Sequence, residues 1–240
     1  IMAHKFPELK SYVQKDGTML LRVQKALYGT LIAGKLWFDK LTAALKKLGF
    51  TANPIDPCVM NKTYKGKQLT LCLFVDDILA TCADKSGLTW IINQLKGLFD
   101  EVKGSISDDF SYLGMHVNID RENSRVHLSM EGYEQELRKY TNVTGVRKTP
   151  ATAQLFQVGS SPVLTSSPRA HFHTVVAKLL YLSLRTRPDI ALAVSFLTTR
   201  VTCANTDDMK KLDRVLQYLN GAQAKRLTLS CKGRLRVGGL

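Results

Sequence analysis

The sequence predicts an α+β chain, an antiparallel sheet with packed helices followed by a helical bundle. Short apolar strands separated by turn signals run from Cys58 to Cys82. Amphipathic helices flank that region at Lys35 to Leu48 and Ser86 to Phe99. Helical stretches then follow one another at His173 to Leu184, Asp189 to Val201 and Thr206 to Leu219.

Taken in order, Ile1 to Gln14 has mixed polarity and reads as an irregular entry. Lys15-Asp16-Gly17 signals a turn, and Met19 to Val23 a short strand. In the helix Lys35 to Leu48, the residues Leu36, Trp37, Leu41, Ala44, Leu45 and Leu48 form one apolar face. Lys40, Lys46 and Lys47 fall outside it. Trp37 and Phe38 read as core packing, and Gly49 is placed to end the helix in the left-handed conformation. Cys58 to Tyr64 and Gln68 to Phe74 are strands joined by Lys65-Gly66-Lys67, and Ile78 to Cys82 completes a meander. Ser86 is the expected N-cap of the next helix. Asp108 and Asp109 read as a solvated loop. Phe110 to Ile119 alternates around Gly114, which an edge-strand bulge would explain, and Arg125 to Ser129 returns beside it. Met130 to Thr141 is a polar helix. Val146 to Pro168, with its prolines, Gly159 and hydroxyl residues, reads as a linker. Asp189 suits a first helical turn and Thr206 an N-cap, while Ala224 to Ser230 reads as a final strand.

The chemistry centres on Leu71 to Cys82, LCLFVDDILATC. An apolar run of this composition is a buried strand, and Asp76 and Asp77 interrupt it. Two carboxylates about 4 Å apart repel by roughly 4 kcal/mol at an effective dielectric of about 20. A solvated hairpin turn offsets that cost, and so does a divalent cation; Mg²⁺ prefers carboxylate oxygens. His116 and His127 lie on strands without ligand partners nearby in sequence and carry no assigned chemistry.

With 240 residues, 45% hydrophobic and 22% charged, the chain has material for one large or two small globular cores. Its net charge of +14 favours an anionic partner, nucleic acid before an acidic membrane, although a solvated basic surface accounts for part of it. From Lys210 onward the basic residues outnumber a single acid, Asp213. The 5 cysteines are odd in number and form no CxxC pair, which fits a reducing compartment rather than a disulfide framework or zinc site. No apolar stretch is long enough for a membrane span and no signal-peptide pattern opens the chain, so no membrane partner is expected. The first residue, Ile1, suggests a piece of a longer protein.

The run FVDDIL resembles the acidic box of reverse transcriptases, and its surroundings resemble copia-type LTR retrotransposons. The likeness extends through KALYG (25–29), LWF (36–38), DPCV (56–59), YLGM (112–115), LLYL (179–182), TRPDIALAVS (186–195) and RVLQYLNG (214–221), in the family's order. The resemblance implies a reverse-transcriptase-like palm followed by a thumb-like bundle. Its segments would be partial fingers and palm over 1–149, a linker over 150–168, and over 169–240 a three-helix thumb with the start of a connection. Asp76 and Asp77 would be catalytic and would hold part of a two-Mg²⁺ site. Tyr28 and Gly29 would shape the nucleotide and template site. Tyr112, Leu113, Gly114 and Met115 would form the primer grip. Lys178 would meet a phosphate and Tyr181 a sugar, with a solvated lysine and a core tyrosine as equal alternatives. Leu31, Gly34 and Ala177 depart from the family's usual Lys, Pro and Gly.

The reaction implied is template-directed addition of deoxynucleotides to a primer 3′ end, by in-line phosphoryl transfer. The implied partners are an RNA or DNA template–primer, deoxynucleoside triphosphates, and the RNase H and integrase parts of a retrotransposon polyprotein that serves DNA integration. An intracellular setting, a cytoplasmic particle or the nucleus, goes with them. The family's third catalytic aspartate belongs to a strand box that nothing before Lys25 matches, and the chain stops about where RNase H would begin. Two expectations therefore stand together: a polymerase fragment that is inactive as given, and a decayed or co-opted remnant that binds nucleic acid without catalysis.

Overall fold

The computed structural model describes residues 6–222 and 225–230, apart from 21, 23 and 28. It divides into two compact units, Ile1–Gly104 and Ser105–Leu240.

In the first unit Pro7–Tyr12 forms a 3₁₀ turn, and Met19 makes a single antiparallel bridge to Val13. The rest of the strand expected over 19–23 falls partly on residues outside those described. Helix α1 (Leu31–Lys47) begins ahead of the expected Lys35 and carries Lys46 and Lys47 in its last turn, where cations favour the helix dipole. Gly49 follows with φ +86°, the left-handed exit its position requires. Then come β1 (Thr51–Ala52), β2 (Val59–Tyr64), β3 (Lys67–Phe74) and β4 (Asp77–Cys82), a wholly antiparallel sheet in the order β1-β2-β3-β4. Lys65 (φ 48°) and Gly66 (φ 74°) make the left-handed pair that a two-residue hairpin favours. Leu69, Leu71 and Leu73 alternate onto the buried face, against Leu41 and Leu45 of α1 and Ile91 and Leu95 of α2 (Lys85–Leu98). The N-cap of α2 is Asp84 rather than Ser86. The Asp84 carboxylate accepts from the Ser86 amide at 2.8 Å, because a side chain in extended backbone one residue before the helix reaches that amide.

The second unit holds another antiparallel sheet, β5 (Asp109–Tyr112), β6 (Met115–Asp120), β7 (Arg125–Ser129) and β8 (Leu227–Ser230), in that order. It also holds α3 (Glu131–Thr141), α4 (Ser166–Arg185), α5 (Ala191–Thr198) and α6 (Thr206–Gly221). The closing strand pairs with β7, Val126 opposite Leu229, across about a hundred residues of chain. Phe172, Val175, Leu179 and Leu182 of α4 are buried with Ile190, Leu197, Val215 and Leu219. Asp109 is not in a loop: it opens β5 and bonds His116 (2.9 Å) and Asn118 (3.1 Å), while Asp108 takes the Arg121 guanidinium at 2.8 Å. Gly114 marks no bulge; Leu113 (φ 49°) and Gly114 (φ 74°) form a two-residue turn. The cap of α6 is Asn205, reciprocated by Asp208 in a capping box, with Thr206 already helical. Asp189 lies in the first turn of a 3₁₀ helix (Pro188–Ile190) ahead of α5, and its carboxylate accepts from Arg187.

The stretch read as a linker lies inside this second unit. Leu155 is buried, the Leu164 amide donates to the Ala204 carbonyl (2.9 Å), and α4 has begun by Ser166. Among the described residues no helix is long and apolar enough to cross a membrane.

Candidate functional site

Asp76 and Asp77 sit at the hairpin between β3 and β4, as the strand–acid–strand pattern requires. Phe74 and Asp77 face each other as the closing pair, leaving Val75 and Asp76 as the turn. Both aspartates are exposed, so water offsets their mutual repulsion. β4 is the edge of its sheet, so one side of the strand that starts at Asp77 is unpaired among the described residues.

The turn is built differently from the others in the chain. At 65–66 and 113–114 a glycine takes the second left-handed position. Here the first turn residue is Val75, with φ 51°, and no glycine is present. A β-branched residue at positive φ is an outlier, and such a residue costs about 1–3 kcal/mol that its surroundings must offset. One such contact is visible. The indole Nε1 of Trp37 on α1 donates to the Val75 carbonyl at 2.7 Å. Its ring also packs against Phe99, centroids 5.2 Å apart, and Lys40 lies 5.5 Å over the Phe99 ring. Trp37 was legible in the sequence only as a core residue; a half-buried indole with a free N–H needs a partner, and that is the signal that marks it.

Gly29 has φ +88° two residues before α1, a conformation that favours glycine, and a Cβ there would meet nothing within 4 Å. Tyr28 lies outside the described residues.

The remaining candidates gather in the second unit. Tyr112, Leu113, Gly114 and Met115 form the β5–β6 hairpin. Beside it is an open pocket of about 300 Å³, lined among others by Gly114, Met115, His116, Glu131 and Tyr133. The Tyr181 hydroxyl of α4 donates to the Leu113 carbonyl at 2.9 Å, so Tyr181 belongs to the same cluster. Its ring lies 5.6 Å from that of Tyr133, whose hydroxyl donates to the Lys178 carbonyl. Lys178 stands 5.9 Å over Tyr133 and 5.5 Å over Tyr140, and Arg185 stands 5.2 Å over Tyr181. Burial pushes the Tyr133 phenol up, aided by the neighbouring Tyr181 and Glu136. Arg185, Tyr133 and Tyr140 were not singled out in the sequence. The seven-residue spacing of His171, Lys178 and Arg185 puts them on one helical face and was the available signal.

Mg²⁺ demands near-octahedral oxygen ligation. Asp76 and Asp77 leave one turn together, and among the described residues no group of three His, Cys, Asp or Glu side chains converges on a point that could hold a metal ion. The residues present do not close a metal site.

The acidic hairpin thus stands at the edge of a sheet backed by two helices. Residues 8–153 match the family model for reverse transcriptase (RNA-dependent DNA polymerase), and the chain belongs to that family. It is 26% identical over 220 residues to the retrovirus-related Pol polyprotein from transposon TNT 1-94 of Nicotiana tabacum, covering 85% of this chain and 16% of that protein. It is 28% identical over 215 residues to the Pol polyprotein from transposon RE1 of Arabidopsis thaliana, covering 88% of this chain and 14% of the relative. The Ty1-GR3 Gag-Pol polyprotein of Saccharomyces cerevisiae is 32% identical over 108 residues, 42% of this chain and 6% of that one. The chain thus spans a small part of each of these three relatives. No solved structure matches it.

Proposed function

We propose that this chain is part of the RNA-directed DNA polymerase of a copia-type retrotransposon polyprotein. The first unit carries the catalytic part of the palm and the second the primer grip and thumb. The observation that carries the reading is the exposed Asp76–Asp77 hairpin at the edge of a helix-backed sheet. Asp76 and Asp77 are the catalytic carboxylates. Gly29, with Tyr28, shapes the nucleotide and template site, Tyr112 to Met115 grip the primer, and Lys178 and Tyr181 face the template–primer. Its partners are an RNA or DNA template–primer, deoxynucleoside triphosphates, and the RNase H and integrase parts of the polyprotein. Its setting is intracellular, a cytoplasmic particle or the nucleus, and its wider role is DNA integration.

Among the described residues, Asp76 and Asp77 have no further carboxylate beside them with which to close a Mg²⁺ site. By itself the chain does not polymerise on this reading; a third carboxylate must reach the side of β4 that is unpaired among the described residues. Glu8 and Asp16 precede the hairpin, but Glu8 lies in a 3₁₀ turn and Asp16 is occupied by Thr18 through its amide (2.9 Å) and hydroxyl (2.7 Å).

A second reading, a nucleic-acid-binding remnant without catalysis, is favoured by the same open ligand set together with the net charge of +14. Primer extension on poly(rA), with Mg²⁺ or Mn²⁺, tests both. The chain alone is expected to be silent, and a chain extended upstream is expected to extend the primer unless Asp76 is replaced by Ala. Extension by the chain alone, abolished by Asp76→Ala, overturns the predicted inactivity. Silence of the upstream-extended chain favours the remnant.

A further inference from the structure

We infer that Trp37 is a positioning residue for the acidic turn: its indole N–H holds the Val75 carbonyl, and with it the left-handed residue that directly precedes Asp76 and Asp77. The inference rests on the polymerase reading for the importance of those carboxylates, but its geometry stands apart from that reading.

Val75 is the residue least suited to its place. A hairpin whose first turn residue alone has positive φ asks for glycine there, and valine adds a branched Cβ. Left to local preference, Val75 would return to extended backbone and rotate its carbonyl away from the direction it now takes. The acid that follows it directly would be re-aimed with it. Among the described residues, the side-chain hydrogen bond to that turn comes from Trp37, 38 residues earlier, at 2.7 Å. The donor is itself well fixed. Trp37 stands on α1, whose next turns bury Leu41 and Leu45 completely, and its ring is braced by Phe99 at the end of α2. Two rigid helices thus determine where the indole N–H lies, and the strained turn is drawn to it.

The second unit uses the same device. Leu113, also a left-handed non-glycine opening a two-residue turn, offers its carbonyl to the Tyr181 hydroxyl at 2.9 Å. In both cases an aromatic donor on a helix meets the carbonyl of the strained residue. The Lys65–Gly66 turn, away from any proposed site, has no such side-chain bond among the described residues.

The test uses Trp37→Phe, which keeps an aromatic ring against Phe99 and deletes only the donor, and Val75→Gly, which removes the strain. Backbone ¹³C shifts of residue 75 and hydrogen exchange at Phe74 and Asp77 are read by NMR. In Trp37→Phe the Val75 shifts are expected to move toward extended values, and exchange at Asp77 to rise at least tenfold, while Leu69 and Leu71 are unchanged. In Trp37→Phe/Val75→Gly the protection is expected to return, because glycine needs no restraint. A turn unaltered in Trp37→Phe overturns the inference. So does a rise in exchange that spreads through the sheet and is not rescued by Val75→Gly, which marks a packing role only. In the upstream-extended polymerase, Trp37→Phe is expected to lower kcat severalfold with KM for nucleotide unchanged. Failure of Asp76→Ala to abolish extension there would sink the polymerase reading while leaving the NMR result standing.

Discussion

The Tyr181 hydroxyl donates a 2.9 Å hydrogen bond to the Leu113 carbonyl, joining helix α4 to the β5–β6 turn. The sequence suggested a sugar contact or a core position for Tyr181; the side chain is 37% exposed, and its polar tip is turned onto backbone. Tyr181→Phe keeps the ring beside Tyr133 and removes that bond. A loss of about 1 kcal/mol in urea unfolding is expected. Nucleic-acid affinity should change little, because the ring face rather than the hydroxyl remains available.

Arg187 is among the largest fully buried side chains of the described residues. Its guanidinium reaches both Glu134 oxygens at 3.0 Å and Asp189 at 3.0 and 3.1 Å. Replacing it with Met leaves the Glu134 carboxylate buried with only Arg138 beside it. Arg187→Met should therefore cost about 3–5 kcal/mol, the usual penalty for breaking a buried pair from one side. Arg187→Met combined with Glu134→Leu should recover part of that loss. Equal unfolding midpoints for the two variants would count against the pair.

Two aspartates of this unit should respond to pH with opposite sign. Burial pushes Asp189 up, but hydrogen bonds from Arg187 and Tyr218 outweigh it and hold the carboxyl below the usual range. Its contribution is therefore present above the unfolded-state value and is lost as pH falls through the lower, folded one. Burial pushes Asp213 up, only partly opposed by His171. Its folded state favours the protonated form, so stability falls as pH rises from the unfolded value through the raised one. Asp213→Asn should stabilise at neutral pH, with the gain vanishing in acid, whereas Asp189→Asn should destabilise at neutral pH. Unfolding midpoints at pH 7 and pH 3 check both.

Gly49 leaves α1 at φ +86°, and a Cβ there would come within 2.8 Å of Lys62 Nζ, which donates to the Leu48 carbonyl at 2.7 Å. Gly49→Ala should lose about 1–2 kcal/mol from the left-handed strain alone. Ala at Gly17, which is also left-handed but has open space around it, isolates the backbone part of that loss.

Binding of duplex or hybrid nucleic acid should be weak, indifferent to sequence and strongly salt-dependent, given the net charge of +14. Filter binding over a salt series checks it. Lys178→Ala or Arg185→Ala should each lower the salt slope by about 1 if the residue meets a phosphate. An affinity equal at low and high salt would rule out the electrostatic mode.

Much of this was legible in the chain itself. The run from Leu71 to Cys82, read with its flanking turns, placed Asp76 and Asp77 at a hairpin because two adjacent carboxylates that interrupt a buried apolar strand call for a solvated turn. The helices were readable from their apolar stripes, with errors confined to their ends. The caps Asp84 and Asn205 were missed because each lies one or two residues outside the periodic pattern, and only backbone geometry shows which oxygen reaches an amide. Gly114 was ambiguous for a related reason: glycine marks a bulge or a turn equally well, and the cross-strand register decides. The tertiary structure alone decided that Leu227–Ser230 pairs with β7, that Arg187 lies between Glu134 and Asp189, and that Trp37 meets Val75. Each of these joins residues far apart in sequence or buries a charge. Local periodicity records which face of an element is apolar, but not which distant donor or strand will satisfy the polar groups that folding takes out of water.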